Sequence, residues 1–242
     1  MAVVAFDGPI GAGGNEVGAL AARLLNADYV DRLILAQAAK RIGSTVEVLE
    51  IKEQRRVPMR DRLAYFLQTM LERSAMSGAG GEPYFGPGLE YLPSEEYTDL
   101  AQEPLTAAQR LSDQRFIDVT SSVIKDLARA GDVVIIGRGS NVILKDLPGV
   151  LHVGLTTPLE LRIRTIVERE HLSWNDAGKY VSDMEKARVI YFKKFFKVHP
   201  DDPKLYHMVL NMGTISVNIA AEIVAHAAQK VAAAVQQEKP VS

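Results

Sequence analysis

The stretch that most constrains this chain lies at its start, where Met1–Leu25 reads MAVVAFDGPIGAGGNEVGALAARLL. An apolar run, Ala2–Phe6, leads into a turn dense in glycine (Gly8, Gly11, Gly13, Gly14). From about Asn15, Val17, Leu20, Ala21 and Leu24 then recur at helical spacing. An uninterrupted apolar run reads as a buried strand, the glycines as a tight loop and the periodic run as an amphipathic helix. Such a loop turns successive backbone N–H groups inward, and the following helix adds the free amides of its first turn. Partial positive charge then converges where no side chain intrudes, which suits a phosphate. A Cβ would obstruct both the left-handed turns and the close approach of an anion. Gly8 and Gly13 fall on the fixed glycines of the phosphate-loop pattern G-x-x-x-x-G-K-[ST], but Gly14 stands in the lysine position and Asn15 in the hydroxyl position.

The remaining apolar pattern alternates short buried runs with helices. Asp28–Val30 reads as a short link or strand, and Asp31–Ile42, Ser44–Glu53 and Met59–Met76 read as helices. Ser77–Pro104 differs: it is rich in glycine, proline and tyrosine, and it forms most of an insertion expected at about 77–112. Loops of this length serve as lids, docking segments or linkers. Asp113–Ala130 reads as a helix, Val133–Ile136 and Leu151–Leu155 as strands, and Leu205–Asn211 as a last strand. Thr157-Pro158-Leu159-Glu160 has the residues of a helix start, with Thr as N-cap and Pro at the first position; that helix runs to about His171. Ser173–Phe196 follows, with Ser173 and Asp176 as a cap pair. Ile215–Gln236 closes the chain, with Ile219, Ile223, Ala227 and Val231 in one line. This order predicts a single α/β domain over 1–242, with a parallel sheet covered by helices on both faces and a helical lid at about 157–200. Ligands are expected at the carboxyl ends of the strands.

Composition narrows the partners. Of 242 residues, 47% are hydrophobic and 24% charged, with a net charge of −2 and no long basic run, so neither nucleic acid nor an anionic membrane is an expected partner. Cysteine is absent, which excludes disulfides, thiolate metal sites and a cysteine nucleophile. No charged segment precedes a long apolar one at the N-terminus, and the alanine-rich C-terminal run carries Glu222, His226, Gln229 and Lys230. A cytoplasmic protein without a membrane span is therefore expected. The five histidines show no metal-ligand spacing, so no protein-held metal is predicted.

Three arginine groups follow three separate elements. Arg138 sits between Gly137 and Gly139 at the end of a strand, where the short turn would let its guanidinium reach over the sheet edge toward a phosphate. Arg162 and Arg169, seven residues apart, share one helix face and are candidates to clamp a transferring phosphate. Arg164 lies nearly opposite, between Glu160 and Glu168, as part of a solvated ion-pair ladder. Arg188 on the next helix is a third candidate, with Asp183 placed to meet a sugar hydroxyl. Lys193 and Lys194 read as a solvated face, and Tyr191, Phe192, Phe195 and Phe196 as core or interface.

Taken in order, several pieces resemble the cytidylate kinase-like family, a branch of the P-loop nucleoside monophosphate kinases. They are Gly11-Ala12-Gly13-Gly14-Asn15-Glu16, Tyr29–Ile34, Val134–Ser140, Pro158–Ile163, Val167–Glu170, Lys186-Ala187-Arg188 and Val209-Leu210-Asn211. The region left uncovered is about 55–110. The resemblance implies a P-loop NTPase-type fold and an ATP site at Gly8, Gly11, Ala12, Gly13, Gly14, Asn15 and Glu16. It also implies a nucleoside monophosphate site at Asp31, Arg32 and Arg138. Arg162, Arg169 and Arg188 would gather around the transferring group, and magnesium would bridge the donor phosphates. Gly139 stands where cytidylate kinases proper carry an aspartate, and Asn15 where this branch often carries an arginine. The expected activity is ATP-dependent phosphoryl transfer to a nucleoside monophosphate or related small phosphate acceptor, and a homo-oligomer is left open. The alternative is a catalytically impaired nucleotide-binding module that acts as a sensor or assembly subunit.

Overall fold

The computed structural model describes residues 1–31 and 107–237. The helices expected over Ser44–Glu53 and Met59–Met76, nearly all of that over Asp31–Ile42, the segment Ser77–Pro104 and Arg32 lie outside the described residues.

Five parallel strands form one sheet in the order β2-β3-β1-β4-β5: β1 Val3–Asp7, β2 Asp28–Val30, β3 Val133–Ile136, β4 Val150–Thr156 and β5 Met208–Asn211. The glycine-loop strand β1 is central, pairing Val3–Phe6 with Val133–Ile136 on one side and Val3–Asp7 with Val150–Gly154 on the other. A strand bonded on both edges and covered on both faces favours apolar side chains at successive positions. That is why β1 and β3 read as continuous apolar runs rather than as alternation. Among the described residues the helices are α1 Gly14–Leu25, α2 Ala107–Ala130, α3 Ser140–Ile143, α4 Leu159–Glu170, α5 Trp174–Phe196 and α6 Val217–Gln237. None of them is long and apolar enough to cross a membrane.

Strand residues alternate between two cores. Val3, Ala5, Val133 and Ile135 pack with Val123, Ile124 and Leu127 of α2. Val4, Phe6, Val134, Leu151 and Val153 pack with Val17 and Ala21 of α1 and with Ala220, Ala221 and Val224 of α6. The small residues on α1 and α6 let the two helices lie close together over that face. The line of residues read on α6 is split: Ala227 and Val231 pack on the core, but Ile219 and Ile223 are 49% and 40% exposed, because the alanine-rich face is the one turned inward. A third cluster joins Ile117 of α2 to Ala187, Tyr191 and Phe192 of α5, so the aromatics of α5 are core. Lys194 is likewise no simple solvated residue, since its Nζ lies 3.0 Å from Asp113 and ties α5 to α2.

Helix ends match the sequence unevenly. Ser173 caps α5 as expected, its hydroxyl accepting from the Asp176 N–H at 3.2 Å. At α4 the cap position falls on Pro158 with no side-chain bond, and the Thr157 hydroxyl is buried without a partner. The extended ψ of Pro158 displaces the helix start by one residue and carries Thr157 out of reach of the first-turn amides.

His152 sits buried within β4; its backbone N–H donates to Nδ1 of His207 at 3.0 Å, and the two rings lie 5.0 Å apart. Burial, reinforced by His207, pushes the His152 imidazole down from 6.5 to about 4. The folded state therefore takes up this proton less readily than the unfolded chain. The stability it contributes is complete above pH 6.5 and is lost as pH falls toward 4. Urea denaturation across this window should show a loss of at most about 3 kcal/mol attributable to this group. His152→Leu should flatten that part of the profile, and an unchanged slope in the variant would refute the assignment.

Candidate active site at the glycine loop

β1 delivers the chain at Asp7, and the loop to Gly13 returns it into α1. Gly13 is the N-cap, with φ 82° and no side chain of its own to cap the helix, so the first-turn amides are left as donors beside the loop. Gly11, with φ 78°, has a second reason to be glycine: a Cβ there would come within 2.7 Å of the Arg162 carbonyl oxygen. The loop is thus pressed against the start of α4. The cavity it encloses is walled by Gly8–Glu16, by Ile136 and Gly137 at the end of β3, by Leu155 of β4, and by Thr165, Arg169, Met184 and Arg188 from α4 and α5.

Ion pairs hold the two walls together. Arg188 is buried; its Nε and Nη2 donate to Asp7 Oδ2 at 3.2 and 2.6 Å, and its Nη1 donates to Glu185 Oε1 at 2.9 Å and Asp201 Oδ1 at 3.0 Å. Its Cζ also lies 5.8 Å from the centre of the Phe192 ring. The Tyr206 hydroxyl donates to the same Asp7 oxygen at 3.2 Å. Gly154, in register with Asp7 on β4, makes room for that tyrosine, since a Cβ there would lie 3.1 Å from the ring. Arg162 is also buried: Nε donates to the Ile10 carbonyl at 2.9 Å and Nη2 to Glu185 Oε2 at 3.1 Å. Glu185 therefore joins the arginine that grips the loop to the arginine that grips β1.

Burial dominates the electrostatics of this group. It opposes the charge on Arg188, but Asp7 and Glu185 outweigh it and hold the guanidinium above its usual range. Burial pushes the Asp7 carboxyl above its ordinary value, with Arg188 pulling it back. The Tyr206 hydroxyl is pushed up by burial and then by the Asp7 charge.

The structure brings together Gly8, Gly11, Ala12, Gly13, Gly14, Asn15, Glu16, Arg169 and Arg188 around one cavity. It does not bring the other candidates there. Arg162 stands behind the wall as a brace. Arg138 does not reach over an open edge; it is buried, in a left-handed turn (φ 55°) between Gly137 and Gly139, with Cζ 5.9 Å from the Phe116 ring. Asp183 is on the exposed side of α5 in a pair with Lys186. Asp31 follows β2 and is absent from the wall. Arg164 is exposed as expected, but among the described residues it makes no ion pair with Glu160 or Glu168. Among the described residues no group of three carboxylate or imidazole side chains could hold a metal ion. Asp7, Glu185, Asp201, Tyr206 and Thr165 escaped the sequence reading. Only Asp7 carried a visible signal, as a charged residue ending an otherwise apolar strand.

A central parallel strand feeding a glycine loop and a helix N-terminus, beside arginine-bearing helices, is the architecture of the P-loop class. A model of the cytidylate kinase-like family matches residues 3–214, and the chain belongs to that family. A cytidylate kinase from Methanopyrus kandleri (strain AV19) is 30% identical over 95 residues, covering 36% of this chain and 49% of that protein, so the chain spans about half the length of this curated relative. The solved structure of an uncharacterized protein from Eubacterium ventriosum ATCC 27560 superposes with a TM-score of 0.59 at 15% identity, over 95% of this chain and 98% of that one, and shares the fold.

Arg188→Leu should lower stability by about 3–5 kcal/mol, because it leaves the Asp7 carboxyl buried without its counter-charge. Asp7→Asn combined with Arg188→Leu should recover part of that loss in urea denaturation. Additive losses in the double variant would show that the two residues do not act as a pair.

Proposed function

We propose that this chain is an ATP-dependent phosphotransferase acting on a nucleoside monophosphate, cytidylate-like, or on a related small phosphate acceptor. The observation that carries the reading is the cavity itself. On one side are the glycine loop and the uncapped start of α1; on the other are Arg169 and Arg188 from two further helices. Backbone donors and guanidinium groups converging on one small space suit a polyphosphate, and family membership points the same way.

Bound there, ATP would supply the phosphoryl group, with magnesium carried by its phosphates. The chain's own work is positioning and neutralisation, which is where catalysis of phosphoryl transfer resides. The loop and first-turn amides of Gly11 and Gly13–Glu16 would hold the donor phosphates, the Ala12 N–H being taken by the Pro9 carbonyl at 3.1 Å, and Arg169 would face them from α4. Arg188, fixed by Asp7, would present a permanent positive charge beside the loop. Arg162 and Glu185 would keep the loop and the lid helices in register. Asp31 and Arg32 remain the proposed acceptor side, with Arg138 less well placed because it is buried against Phe116 and Asp183 because it is exposed and paired with Lys186.

The absence of a lysine at Gly14 and a hydroxyl at Asn15 favours a second reading, a nucleotide-binding module without turnover. Purified protein incubated with ATP, magnesium and a panel of monophosphates decides between them. A diphosphate product from one acceptor is expected; ATP binding in calorimetry with no product from any acceptor would favour the binding module. Gly13→Val should abolish ATP binding while leaving the fold intact. A β-branched residue is strained at φ 82°, yet nothing closer than 3.9 Å crowds its Cβ. Unchanged affinity in a folded Gly13→Val protein would place the phosphate site elsewhere.

A further inference from the structure

A set of buried polar side chains borders the cavity at the end of β3, where Ile136 and Gly137 form part of its lining. Beyond that turn α3 begins with Ser140 and Asn141, which are 0% and 1% exposed. The Ser140 hydroxyl and both amide atoms of Asn141 are buried and have no hydrogen-bond partner among the described residues; the hydroxyl of Thr120 on α2 has none either. Thr120 faces the same corner. Val142 of α3 shares a cluster with Phe116 and Ile117 of α2, and Ile143, with Leu144 after it, shares another with Val123 and Ile124. Thr120 lies on α2 between these two contacts. A buried polar atom left unpaired costs stability, which an apolar side chain of the same shape would avoid, so such groups in native proteins generally have a partner. The chemistry of this set says what the partner is. A carboxamide offers a donor and an acceptor side by side, whereas a phosphate has acceptors only and would set its charge against the Asn141 oxygen. The edge of a nucleobase presents a donor and an acceptor side by side, which a carboxamide matches with two hydrogen bonds.

We propose that Asn141, flanked by Ser140 and Thr120, reads the base of the acceptor nucleotide and so determines acceptor specificity. The inference rests on the reading of this chain as a kinase of nucleoside monophosphates. The Asn141 amide is already out of water, so binding need not desolvate it, and a ligand without the matching edge leaves it unpaired. Sites built on buried polar groups of this kind discriminate strongly against analogues that lack the partner.

Calorimetric titrations with cytidine 5′-monophosphate and with ribose 5-phosphate, which lacks a base, are made on the wild type, Asn141→Leu and Asn141→Ser, with thermal denaturation of each. Asn141→Leu nearly keeps the shape and removes the unpaired atoms. It should weaken cytidine monophosphate binding roughly five- to a hundredfold, the range for a bidentate base contact. Ribose 5-phosphate binding should not change, and the variant should melt no lower than the wild type. Asn141→Ser keeps one hydrogen-bonding group and should bind cytidine monophosphate with intermediate affinity. Cytidine monophosphate binding by Asn141→Leu within about twofold of the wild type would overturn the proposal, as would equal weakening of both ligands. A lower melting temperature would also overturn it, by showing that Asn141 is paired within the fold. If Asn141→Leu does not fold, the serine variant decides: selective weakening of cytidine monophosphate supports the proposal, and wild-type affinity overturns it. A wild type that binds both ligands alike overturns this inference alone; one that binds neither removes the acceptor reading and the inference with it.

Discussion

The contact between Asp7 and Arg188 is the interaction on which the rest of the site depends. Asp7 ends the central strand, where a carboxylate has no water to solvate it, and a single oxygen accepts from Arg188 twice and from Tyr206 once. Burying such a pair gives little net stability, because desolvation offsets most of the attraction, but it makes the pair intolerant of separation. The consequence is geometric. Helix α5 is held to the end of β1 by a contact that either forms completely or leaves an unpaired buried charge.

Glu185 extends this constraint to the loop. Its two oxygens are divided between Arg188 and Arg162, and Arg162 in turn holds the Ile10 carbonyl. The loop is thereby restrained from behind by side chains while its residues line the cavity. Preorganisation of that kind is what phosphoryl transfer asks of a protein, since donors already in place need not reorganise when charge develops. Gly11 completes the arrangement by allowing the loop backbone to lie against Arg162.

Two arginines on one wall thus do different work. Arg188 is fixed by carboxylates, and its charge is part of the scaffold. Arg169, at the C-terminal end of α4, is partly exposed and among the described residues pairs with its chain neighbour Glu170.

The sequence by itself determined the parallel α/β architecture and the glycine loop with its helix. Apolar runs and glycines act over a few residues, so their meaning survives without knowledge of distant partners: Val133–Ile136 and the Ser173 cap formed where local pattern placed them. It also singled out the arginines of α4 and α5, but not their roles. Arg162 and Arg169 share a helix face, yet one is consumed by Ile10 and Glu185 while the other borders the cavity. Only the tertiary structure decided this, because it depends on partners 152 and 23 residues away in the chain. The same holds for Arg138, which the fold buries against Phe116, and for Asp183, which it leaves in solvent. Helical periodicity says which residues lie together on a surface; what that surface meets is settled by the packing of elements far apart in sequence.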